Sequence, residues 1–119
     1  MKQKVHSVSY LVKAEFENKD GVYDLVALPT GAEVVKVALE VVGNPMAGTI
    51  SVGFKDETNK NYFLTLENIN TNKNATSAKD YTATSNKVVV AEVKNANATD
   101  TKGVLRVLYF LPSVIEVEY

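Results

Sequence analysis

A chain of 119 residues, 45% apolar and 23% charged, is one domain over residues 1–119, with enough apolar content for a single core and no sign of disorder. Its formal charge of −1 lacks the basic footprint of a nucleic-acid or anionic-lipid binder, so neither nucleic acid nor membrane is expected as a partner. The absence of cysteine and the presence of one histidine, His6, exclude a disulfide framework, a thiolate zinc site, a cysteine nucleophile and any site that needs two imidazoles.

The basic start Met1-Lys2-Gln3-Lys4 is followed by His6, Ser7 and Ser9, polar where a secretory signal has its apolar core. Export is therefore expected by lysis, by assembly into a particle or after loss of a leader. From Val8 the pattern has period two. Val8, Tyr10, Val12, Ala14 and Phe16 alternate with Ser9, Leu11, Lys13 and Glu15, which predicts a half-buried strand. Glu17-Asn18-Lys19-Asp20-Gly21 is a turn cluster, and the strand Val22–Leu28 stops at Pro29-Thr30-Gly31. Next, Val35, Val37, Leu39 and Val41 are placed on one face, with Lys36, Ala38 and Glu40 on the other. Helical residue types compete here, but β-branching and strict alternation favour strand.

Gly43 to Gly48 breaks the chain before a strand over Thr49–Phe54. Asp56 to Lys60 has the length of a hairpin connection into Asn61–Leu66, where Tyr62, Leu64 and Leu66 are expected to share a face. Glu67 to Lys79 is the longest polar stretch and is read as an exposed loop. Tyr81–Thr84, Lys87–Val93 and Val104–Phe110 are three more strands, with a second Asn/Ala/Thr loop at Lys94–Lys102. Pro112 precedes an extended tail, Val114–Tyr119. The expected fold is a single antiparallel all-β sandwich, jelly-roll-like, with eight to nine strands.

Residues that carry chemistry are few. His6 reads as a surface or strand-edge histidine, and no G-x-S-x-G elbow supplies a serine for a triad. Asp56-Glu57-Thr58-Asn59-Lys60-Asn61 offers oxygen ligands but lacks the glycine and terminal glutamate of a calcium loop, so it reads as a hairpin turn. Asp20 and Asp24 around Gly21 are a weaker cation candidate still. Glu116 and Glu118 alternate with Ile115, Val117 and Tyr119, the pattern of a solvated strand face rather than of a glycosidase pair. Tyr10, Tyr23, Tyr62, Phe63, Tyr81, Tyr109 and Tyr119 are the residues available for a sugar-stacking platform, although tyrosines on strands usually rim a core. The sequons Asn74-Ala75-Thr76 and Asn97-Ala98-Thr99 fall in predicted loops. These readings give no catalytic residue, no metal site and no cofactor; the expected protein is not an enzyme.

One ordered set of signatures is more specific. Leu28-Pro29-Thr30-Gly31-Ala32-Glu33-Val34 leads into the valine-rich strand, and Gly48-Thr49-Ile50-Ser51-Val52-Gly53 with Asp56 follows. Tyr81-Thr82-Ala83-Thr84 comes next, and Lys102-Gly103-Val104-Leu105-Arg106-Val107-Leu108-Tyr109 completes the set. Over roughly Val22 to Tyr109 this order resembles the small β-sandwich structural proteins of tailed bacteriophages and prophages, which attach to heads, tails or fibres. The resemblance implies a non-enzymatic virion component, made in the bacterial cytoplasm and working through contacts with itself and other virion proteins. It implies a homo-oligomer, with a trimer the first expectation. A carbohydrate- or receptor-binding module is the alternative, its recognition carried by the Asn-rich loops and the tyrosines. The tail after Pro112 keeps β-branched residues at alternating positions and ends on an aromatic, which marks Val114, Ile115, Val117 and Tyr119 as the candidate interface. Such a tail either pairs within its own chain or adds to a neighbouring subunit.

Overall fold

The computed structural model describes residues 2–6, 8–43, 45, 47–56, 60–69, 71–96, 101–111 and 114–118. Among them there is no helix, and eleven strands follow in order: β1 (Lys2–His6), β2 (Ser9–Glu17), β3 (Gly21–Leu28), β4 (Glu33–Val42), β5 (Thr49–Phe54), β6 (Leu64–Leu66), β7 (Asn74–Ser77), β8 (Tyr81–Thr82), β9 (Lys87–Lys94), β10 (Lys102–Phe110) and β11 (Val114–Glu118). The two strands beyond the expected number are β1 and β7. Their sequences, KQKVH and NATS, carry almost no apolar signal, and each is extended because a partner strand lies beside it.

The antiparallel pairs are nested. β1 pairs β11, β2 pairs β10, β3 pairs β9, β4 pairs β7 and β8, and β5 pairs β6. The chain is thus one long hairpin that turns between β5 and β6. It is then rolled so that β10 also lies against β4 and β9 against β5. The result is a five-stranded sheet, β2-β10-β4-β7 with β8 beside β4, packed on a four-stranded sheet, β3-β9-β5-β6. Nested pairing followed by rolling is the jelly roll, in which no helix is needed to cover either inner face. The pair β1-β11 forms a separate two-stranded ribbon.

Period two builds the core. Val37, Leu39, Leu105 and Val107 of one sheet and Ile50, Val52, Val89 and Ala91 of the other are all buried, and burial of this kind is worth about 25 cal/mol per Å² of apolar surface. Two expectations fail in informative ways. Val35 is half-buried while Val34 is fully buried, because the β4–β10 register slips between Leu108 and Tyr109. The extra residue in β4 reverses which alternate side chains face inward. The stretch from Glu67 is not simply an exposed loop. Ile69 is fully buried, its amide donates to the Gly48 carbonyl at 3.2 Å, and β7 follows as an edge on β4. Gly48 has φ +138°, and a Cβ there would sit 3.0 Å from Ile69 Cδ1, so this turn holds its anchor only with glycine. The expected strand over Asn61–Leu66 is also shorter. Only Leu64–Leu66 pairs, and Phe63 and Leu66 are the buried members.

Candidate interaction surface

The two outer faces of the sandwich differ. On the four-stranded sheet, the backbone at 60–62 crosses closely over Gly53, where a Cβ would lie 2.8 Å from the Lys60 carbonyl carbon and the Tyr62 nitrogen. Val90, opposite Gly53 in register, is fully buried although it points away from the core. The outer face of the five-stranded sheet carries an open apolar patch instead. Leu11 of β2 lies opposite Leu108 of β10, which lies opposite Lys36 of β4. One cross-strand row along, Lys13, Arg106 and Ala38 follow in the same order. Leu11 is 66% exposed, unusual for a leucine inside a nine-residue strand. Leu11, Lys36, Ala38, Arg106 and Leu108 line a shallow depression of about 270 Å³. Its rim is basic. Arg106 Nη1 reaches Glu40 Oε1 at 3.2 Å, whereas Lys13 and Lys36 have no ion-pair partner among the described residues.

The ribbon extends past this face. The longest sandwich strand, β4, has ten residues and spans about 33 Å, and five more residues add about 17 Å. The long axis of the molecule is 55 Å, and in sequence the ribbon strands flank the paired strands β2 and β10. In the ribbon register, Val5 faces Ile115 and Gln3 faces Val117, while Lys2, Lys4 and His6 pair with Glu118, Glu116 and Val114. Of the ribbon's side chains, Val5 is 40% exposed. The backbone of the candidate residues Val114, Ile115 and Val117 falls in one strand paired within its own chain; Tyr119 lies outside the described residues. At the root of the ribbon, His6 Nδ1 lies 3.1 Å from the Leu111 carbonyl oxygen. A carbonyl only accepts, so Nδ1 is the protonated nitrogen and donates.

The remaining candidates are structural. Asp56 takes a 2.7 Å hydrogen bond from Lys87 Nζ, and this bond is the main reason its carboxyl is held below the ordinary value. Asp20 Oδ1 accepts from the Ala96 amide at 2.8 Å, and Asp24 pairs with Lys55 at 2.7 Å. Among the described residues neither aspartate is held in a cluster with other ligands, and Glu57, Thr58 and Asn59 lie outside them. Asn74-Ala75-Thr76 sits in β7 rather than in a loop, whereas Asn97-Ala98-Thr99 is outside the described residues. The described tyrosines each pack against another aromatic ring, with Tyr10 still 48% exposed. Tyr10 meets Tyr109 edge-on at 5.8 Å, Tyr23 packs on Phe16 at 5.6 Å, and Tyr62 and Tyr81 meet at 5.5 Å around Phe54. Lys79 caps the Tyr62 ring at 3.9 Å, which leaves no flat platform there. The side chains of Glu116 and Glu118 are not described, although their backbone pairs with Lys4 and Lys2.

Sequence reasoning missed the patch around Leu11 and the strand β1. The signal for the first was present: Leu11 is the one large apolar residue among Ser9, Lys13 and Glu15 on the polar phase of its strand. No comparable signal existed for β1, whose partner lies more than a hundred residues away.

No family model matches the chain, and no curated protein matches it. Among solved structures it is similar to a chain of the acidic stable capsid structure of Helicobacter pylori bacteriophage KHP30, with 74% identity over all of both chains and a TM-score of 0.94. It is also similar to a chain of the cyanophage Pam1 capsid asymmetric unit, with 22% identity, coverage of 87% of this chain and 85% of that one, and a TM-score of 0.67. The second likeness is one of fold.

Proposed function

The chain belongs to the phage capsid protein family of its Helicobacter phage relative, and from that premise we propose that it is a capsid decoration protein that self-associates on the shell. It is a structural protein of the virion. The finer role rests on one observation: the chain matches, end to end and at 74% identity, a chain found in an assembled capsid. That favours the head over a tail or fibre position. The reading is non-enzymatic, with other virion proteins as partners. Self-association is assigned to the terminal strands, and a closed ring of three copies is the first expectation. The tyrosine packing favours no sugar-binding reading.

The test uses capsid shells assembled without this protein. Purified protein added to them is expected to co-sediment at a saturating, stoichiometric ratio and to raise the temperature at which the shells open. Failure to bind such shells, or specific saturable binding to a glycan array instead, would overturn the reading.

A further inference from the structure

We infer that the free edge of β2 pairs antiparallel with the β2 edge of a second copy, about a two-fold axis through Leu11. This seam uses only β2 residues and is independent of the terminal-strand contact proposed above.

Among the described residues, β2 stands at the end of the five-stranded sheet and pairs only with β10. An end strand with open amides and carbonyls is a template for another strand, and folded chains blunt such edges by shortness, bulges or charge. The other end strands are blunted. β6, β7 and β8 have three, four and two residues. β3 is broken by a register irregularity between Asp24 and Val26. β2 has nine residues, keeps one register with β10 from Ser9 to Glu17, and contains neither proline nor glycine. Its charges, Lys13, Glu15 and Glu17, lie toward its C-terminal end. The stretch from Val8 to Val12 has none, and it is apolar on both faces. Tyr10 is 48% and Leu11 66% exposed, on opposite sides of the strand.

The hydrogen-bond phase limits how a partner strand can pair. The Val8 carbonyl accepts from the Leu111 amide, and the Asn18 amide donates to the Thr101 carbonyl. Even-numbered residues of β2 therefore bond to β10, and Ser9, Leu11, Lys13, Glu15 and Glu17 direct their amides and carbonyls to the free edge. A second β2 related by a two-fold axis presents the same residues and matches them. Side chains then select the register. With the axis at Tyr10, Val12, Lys13 or Ala14, Leu11 meets Ser9, Lys13, Glu15 or Glu17, and the Lys13 axis also opposes two lysines. With the axis at Leu11, leucine meets leucine on the outer face, Tyr10 meets Val12 on the inner one, and Lys13 meets Ser9. Leu108 lies beside Leu11, and Lys36 beside Leu108. The paired copies thus carry an unbroken row of leucines across the seam, with Lys36 of each copy at its two ends.

Opposed residues of such a hydrogen-bonded pair have Cα atoms about 5.5 Å apart, within the span of a disulfide. The chain has no cysteine of its own, so cross-linking reads the seam directly in the full-length protein. Ser9→Cys and Lys13→Cys chains, both altered at exposed positions, are prepared separately, mixed and oxidised. The expected result is a disulfide-linked band of twice the chain mass, stronger in the mixture than in either variant alone. Adding Leu11→Lys to both chains opposes two lysines at the axis and is expected to remove most of that band. Leu11 is already exposed, so the β spectrum and thermal transition of a folded sandwich are expected to be kept. A mixture of Lys13→Cys with Glu17→Cys, exposed but not opposed, is the control. No excess band in the first mixture, an equal band in the control, or a band that Leu11→Lys leaves unchanged overturns the seam. The capsid-shell assay reads the decoration proposal separately. Chains that bind shells without cross-linking overturn the seam alone, and chains that cross-link without binding shells overturn the decoration reading alone.

Discussion

Gly103 is a position at which this fold has little freedom. It lies in β10 opposite Phe16 of β2, and the tip of the Phe16 ring lies over it so closely that a Cβ would clash with Cζ. The backbone there is not in the left-handed region, so alanine meets no local strain, only the ring. Gly103→Ala therefore forces Phe16, 6% exposed, out of its place against Tyr23. Losing most of the burial of a phenylalanine costs about 1.5–3 kcal/mol. The lower unfolded-state entropy of alanine in a strand returns about 0.5–1 kcal/mol. The net expectation is a loss of about 1–2 kcal/mol. In a Phe16→Ala background the obstruction is gone, and the same change is expected to stabilise by about 0.5–1 kcal/mol. Urea unfolding of the four proteins of this cycle, at one fixed protein concentration so that association contributes equally, measures both signs. A Gly103→Ala cost that is the same in both backgrounds would refute the packing argument.

Leu105 is fully buried in β10 between β2 and β4, and Leu105→Ala is expected to cost about 2–5 kcal/mol by the same urea assay, since a central strand has little room to collapse. Among the described residues, the buried ones include no carboxylate, lysine, arginine or histidine, so acid is expected to disturb the core little. Asp56 supplies a small pH dependence. Its carboxyl is held below the ordinary 3.8, chiefly by the Lys87 hydrogen bond, so its contribution is present above the unfolded value and lost as pH falls through the lower folded one. Melting temperatures of wild type and Asp56→Asn are thus expected to differ at neutral pH and to converge well below pH 3.8; a gap that widens in acid would contradict the assignment.

The strands of the sandwich were largely legible from residues 8 to 110, because the period of two is a local property that each strand writes into its own side chains. Pro29 and Gly31 likewise announced their turn: Gly31 has φ +89°, and the Ala32 amide donates to the Pro29 carbonyl at 3.1 Å. The apolar tail was legible as a strand without a named partner. What tertiary structure alone decided is which residues meet across long separations. Val34 rather than Val35 enters the core because of a register slip at Leu108 and Tyr109, more than seventy residues on. Lys2–His6 is a strand because Val114–Glu118 lies beside it. Leu11 belongs to a surface because Leu108 and Ala38 are brought next to it by the rolling of the hairpin. Alternation fixes the two faces of each strand, but it carries no information about which strand lies alongside, and a contact surface is made of exactly such neighbours.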